Sequence, residues 1–235
     1  MGHIKTLKAI IFDFDDTIID TYSYLITPLE SIAAQEMVTA GSQERDPKRL
    51  ARLLLKLRRE HPSHIEKELL RYYPNMKPNI LAARERVFSN INLDRLTIDP
   101  EVVQMIQELS ARYYLYLVTS GETEFQNRKI DHLKIRNLFH EVSILDSRSN
   151  RDKKSLFKFL IENNNYSADS VLIVGNRIDE EIYAGNELGM VTVLVKYGEG
   201  SEIKLGKKTD QPDYTIKNII QLQKILTRFE SHFRD

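Results

Sequence analysis

Two carboxylates two residues apart leave an apolar run at Asp13-Phe14-Asp15-Asp16-Thr17. The run itself, Ala9-Ile10-Ile11-Phe12, is short and β-branched and reads as a buried strand ending at Asp13. Asp13 and Asp15 can then face one site at a sheet edge. An aspartate can attack phosphorus and form an acyl phosphate. A second carboxyl can protonate the leaving oxygen and later deprotonate the attacking water. Carboxylates this close repel unless a cation lies between them or one keeps its proton. A bound Mg²⁺ meets the first condition and a protonated Asp15 the second. An acidic loop capping a helix through Asp16 or Thr17 would use the same residues.

Three later stretches carry groups suited to the same chemistry. Thr119-Ser120-Gly121 offers a hydroxyl and backbone N–H groups that can hold phosphate oxygens, and Gly121 permits close approach. An ordinary strand-to-helix turn has the same composition. In Asp152-Lys153-Lys154-Ser155 a lysine can neutralise both a nucleophile and a phosphate, although a basic pair before a helix also suits a solvated surface. Gly175-Asn176-Arg177-Ile178-Asp179-Glu180-Glu181 supplies oxygen-bearing side chains of the kind Mg²⁺ takes. An acidic first helical turn, favoured by the helix dipole, is the alternative.

These stretches need a scaffold that presents them together. Tyr114-Leu115-Tyr116-Leu117-Val118 reads as a strand ending at Thr119, and 142–145 as one ending before Asp146. Val171-Leu172-Ile173-Val174 ends at Gly175; 191–195 and 214–216 are further strands. Asp99-Pro100 starts a helix whose face carries Val102, Val103, Ile106 and Leu109. Helices are also expected at 124–133, 155–163, 180–188 and 219–233. This alternation predicts an α/β fold with a doubly wound, mostly parallel sheet covered on both faces. Such sheets bind ligands at the carboxyl ends of their strands.

Residues 18–98 break the pattern. Leu50, Leu53, Leu54 and Leu57 recur at helical spacing, as do Ile65, Leu69 and Leu70. Pro47, Pro62, Pro74 and Pro78 divide the stretch into short helices. The expected organisation is an α/β core at 1–17 and 99–235 with a helical insertion at 18–98.

Bulk properties narrow the function classes. Lysine plus arginine and aspartate plus glutamate number 34 each, so charge gives no reason to expect nucleic acid or an anionic membrane as partner. The absence of cysteine excludes disulfides, thiolate metal sites and cysteine nucleophiles, and fits a reducing cytoplasm. No run approaches the roughly 20 apolar residues a membrane helix needs. Met1 to Lys8 carries no long apolar stretch, so no secretory leader is expected.

The four stretches, in this order and each at a strand end, resemble the motifs of the haloacid dehalogenase (HAD) superfamily of phosphohydrolases. The resemblance runs from Lys8 to about Leu222 outside the insertion. It matches Asp13, Asp15 and Thr17 to the first motif, Thr119 to the second, and Lys153, with Lys154 as alternative, to the third. Gly175-Asn176 with Asp179 stands where Gly-Asp and a further Asp are usual, and Glu181-Ile182 where many members have Asp-Ile. The resemblance implies a Rossmann-like core with a helical cap and Asp13 as nucleophile, with Asp15 as general acid/base. It places Thr119 and Lys153 on the phosphoryl group. Mg²⁺ would sit between Asp13, the main chain of Asp15, and Asn176 or Asp179, with Glu181 as a further candidate. A small phosphorylated metabolite is the implied substrate. A phosphomutase would share Asp13 and Asp15, and a non-catalytic phosphate-binding protein would find its support in Asn176.

Overall fold

The computed structural model describes residues 6–89, 91–146, 152–203, 206 and 208–231. The chain divides into two units, one of Met1–Ile19, Thr97–Tyr197 and Leu205–Asp235, the other of Asp20–Leu96 and Gly198–Lys204.

The first unit is built on one sheet. Its strands are β1 (Ala9–Phe12), β2 (Tyr114–Gly121), β3 (Glu141–Asp146), β4 (Val171–Gly175), β5 (Val191–Val195) and β6 (Tyr214–Ile216). They lie in the order β3-β2-β1-β4-β5-β6, and every adjacent pair is parallel. β1 is the centre, so all four of its residues are buried, as they are in β4 beside it. This explains why both strands read as unbroken apolar runs. The strand order reverses between β1 and β4, the place where such sheets open a crevice at their carboxyl ends. Leaving strand β1, the chain therefore delivers Asp13 to that switch point.

β2 runs on through Thr119, Ser120 and Gly121, beyond its apolar part. Those polar residues are strand because they pair with Ile144, Leu145 and Asp146 of β3. Tyr116 and Val118 pack with Ile11, Ile173, Phe157 and Leu160 into a core cluster on one face of the sheet.

The second unit holds α1 (Thr27–Thr39), α2 (Pro47–Glu60), α3 (Ile65–Tyr72) and α4 (Pro78–Ser89). Pro47 and Pro78 each open a helix, and Pro62 opens a 3₁₀ turn that leads into α3. Leu50, Leu54 and Leu57 bury one stripe of α2 against Ala34, Met37, Leu69 and Ile80. Glu30, fully buried, receives Arg58 Nε at 2.6 Å and Arg84 Nε at 3.0 Å. The segment Gly198–Lys204 joins this unit through Arg58–Glu199 at 3.2 Å and Arg59–Glu202 at 2.8 Å.

The first unit's helices are α5 (Pro100–Ser110), α6 (Thr123–His132), α7 (Lys153–Asn163), α8 (Tyr183–Leu188) and α9 (Leu222–Ser231). Where one helix over 180–188 is expected, a wide π-turn at Ile178–Ile182 leads into a shorter α8. The expected last turn toward Phe233 lies outside the described residues.

Candidate active site

The ladder carries Asp13 one step past β1, its N–H donating to Val174 O at 2.9 Å. The chain then turns sharply. Phe14 O accepts from the N–H groups of Thr17, Ile18 and Ile19, and Asp16 takes a left-handed φ of 58°. The turn brings Thr17 Oγ1 back to within 3.2 Å of Asp13 Oδ2. Asp13 is 5% exposed.

Lys153 opens α7. Asp152 caps that helix by accepting from Ser155 N–H at 2.8 Å. From there Lys153 Nζ donates to Asp13 Oδ1 at 2.7 Å, binds Glu181 Oε1, and lies 3.3 Å from Glu180 Oε2. Lys154 points elsewhere, to Glu187 Oε2 at 3.3 Å. The geometry thus separates two lysines that the sequence left as alternatives.

Glu181, which the sequence offered beside Asn176 and Asp179 as a further metal candidate, is fully buried. Its Oε2 accepts from Arg177 N–H at 3.0 Å. Gly175 makes room for it, because a Cβ there would collide with the Glu181 side chain. Asn176 is buried at the end of β4, its Nδ2 3.5 Å from Tyr197 O. Asp179 is placed differently from the expectation that it faces a metal with Asn176. It is exposed, and its carboxylate forks onto Arg177 Nε at 2.8 Å and Nη2 at 2.7 Å. The guanidinium two residues away captures it locally.

One lysine facing three carboxylates sets the electrostatics. Burial pushes the Asp13 carboxyl up, against the pull of Lys153. Burial likewise pushes Glu181 up to about 8, again opposed by Lys153. Burial alone would lower Lys153, but Asp13, then Glu181 and Glu180, hold it well above its ordinary value.

Thr119 is 1% exposed and lies two residues past Leu117, which pairs with Phe12 at the end of β1. The side chain of Ser120 is exposed, and its main-chain oxygen accepts from Gln126 Nε2 at 2.7 Å. Asp15 meets two residues that sequence reading passed over. Gln126 Nε2 donates to Asp15 Oδ2 at 2.9 Å, and Lys129 Nζ donates to the same oxygen at 2.7 Å. Their only signal in the sequence is a shared buried face of α6 with Ile130.

A model of the haloacid dehalogenase-like hydrolases matches residues 10–195. The chain belongs to that family. As a HAD hydrolase it is similar to the glyceraldehyde 3-phosphate phosphatase of Pyrococcus furiosus, 29% identical over 231 residues, with 96% of this chain and 95% of that protein covered. The enzyme of the same name from Methanopyrus kandleri is 27% identical over 217 residues, covering 89% and 93%. A HAD hydrolase from Bacillus subtilis solved with magnesium shares the fold, with a TM-score of 0.62 at 19% identity, covering 94% and 99%. By family and by the activity its relatives share, this HAD hydrolase is a phosphoric monoester hydrolase.

Proposed function

We propose that the chain hydrolyses a small-molecule phosphate monoester with Mg²⁺, through a phosphorylated Asp13. The observation that carries this reading is the grip of Lys153 on Asp13 at 2.7 Å, with Glu181 on the same ammonium. Asp13 attacks phosphorus while the bond to the leaving oxygen breaks, and Asp15 gives that oxygen a proton. Water then attacks the phosphorus and Asp15 takes its proton. Inorganic phosphate leaves and Asp13 is regenerated. Lys153, Thr119 and the main chain at Ser120 hold the phosphoryl oxygens.

The oxygen donors at this sheet edge fit Mg²⁺. They are the Asp13 carboxylate, the main-chain carbonyl of Asp15 and the amide oxygen of Asn176. Among the described residues no three acidic or histidine side chains form a ready-made cage. Mg²⁺ does not need one, since it commonly takes one or two carboxylates and completes its shell with water and substrate phosphate. Asp13, Glu180 and Glu181 against Lys153 leave an excess of negative charge. When bound, the ion offsets the repulsion between Asp13 and an incoming phosphate.

The relatives' substrate points to a small phosphorylated aldehyde or sugar, with the helical unit as the cap that supplies specificity. The test is phosphate release from a panel of such esters. Turnover should require Mg²⁺ and vanish in Asp13→Asn. Undiminished turnover in excess chelator overturns the metal's role, and an active Asp13→Asn overturns the nucleophile.

A further inference from the structure

Lys129 is a buried cation that the chemistry above leaves unused. Its side chain is 2% exposed. The ammonium meets both oxygens of Asp15, at 2.7 Å from Oδ2 and closer to Oδ1. It also lies 5.2 Å from the ring centroids of Phe14 and of Phe125, a cation held between two aromatic rings. One turn earlier, Gln126 spends both hydrogens of Nε2 on oxygens, Asp15 Oδ2 and Ser120 O. That choice fixes the amide's orientation and leaves Gln126 Oε1 buried with no partner among the described residues. Gly121, at φ +147°, permits the approach, because a Cβ there would lie 2.7 Å from Gln126 Nε2.

We propose that Lys129, with Gln126, is a positioning residue that fixes where the Asp15 carboxylate faces for proton transfer. The proposal rests on the reading of Asp15 as general acid/base. Asp15 stands on a loop beyond β1 with its side chain 29% exposed, so the turn sets its main chain but not its rotamer. An ammonium on both oxygens and an amide on one of them set the rotamer. Proton transfer requires this, since the donor must lie within about 2.6–3.2 Å of the oxygen it serves. The competing view is an ion pair that ties α6 to the β1 loop and does nothing else. Such a pair would affect every substrate alike. A positioning role affects only esters whose leaving oxygen needs a proton.

The experiment compares an alkyl phosphate with 2,4-dinitrophenyl phosphate in Lys129→Met, Lys129→Arg and Asp15→Asn. In Lys129→Met, kcat for the alkyl ester should fall about 100-fold with KM little changed, and for the aryl ester by less than about threefold. Lys129→Arg should recover most of the alkyl kcat. Added to Asp15→Asn, Lys129→Met should lower kcat no further. Equal losses on both esters in Lys129→Met, with Asp15→Asn still discriminating between them, overturn the proposal and leave Asp15 in its role. Equal losses in Asp15→Asn overturn the role of Asp15, and the proposal with it. Where Lys129→Met does not fold, Gln126→Leu carries the test. It should show the same leaving-group selectivity, and equal losses there also overturn the proposal.

Discussion

Lys153 Nζ lies 2.7 Å from Asp13 Oδ1, although 140 residues separate the two in the chain. Both side chains are 6% exposed. A buried cation between two buried carboxylates cannot be removed without consequence, because each partner left behind is a charge without water. Lys153→Met should therefore destabilise the chain by about 3–5 kcal/mol and lower kcat/KM by about 100- to 1000-fold. Denaturant unfolding and steady-state kinetics read the two effects. Lys154→Met, whose lysine meets Glu187 and the Tyr183 ring away from Asp13, should leave turnover unchanged.

Gly175 serves Glu181 rather than a turn. Gly175→Ala should cost about 1–3 kcal/mol through overpacking. It should also slow turnover, because the carboxylate it displaces holds Lys153. Wild-type stability and activity in this variant would contradict the close approach.

Asp152 is expected to couple pH to α7. Its hydrogen bonds from Ser155 hold the Asp152 carboxyl below its ordinary value. A depressed folded pKa gives stability that is present above the ordinary value of 3.8 and lost as pH falls through the folded one. Asp152→Ala should cost about 0.5–2 kcal/mol near neutrality, and the difference from wild type should shrink in acid. Asp152→Asn, which caps without titrating, should show no such convergence. Thermal melts from neutral to acid pH read this.

The sheet was legible because its central strands are buried on both faces. Ala9–Phe12 and Val171–Gly175 have no solvent side, so their apolar runs are unbroken and end where the chemistry begins. The tail of β2 was less legible, since Thr119, Ser120 and Gly121 are strand only through their ladder with β3. In the site, Asp13 and Asp15 announce themselves by their place after β1. Lys129 does not, because a lysine on an amphipathic helix reads as solvated and its partner lies 114 residues away. Asp179 misleads for the opposite reason: an acidic residue near a strand end reads as a ligand, yet Arg177 holds it at the surface. Nothing in the polar stretch at 198–204 announces its pairing with Arg58 and Arg59 of α2.

The central claim is that a phosphoryl group passes through Asp13. Acid-quenched enzyme turning over a phosphate ester with Mg²⁺ should yield one peptide heavier by a single phosphoryl group, the peptide containing Asp13, with fragmentation locating the group on that residue. A phosphoryl group on another side chain, or steady turnover with no phosphorylated peptide trapped under conditions that stabilise acyl phosphates, would contradict the account.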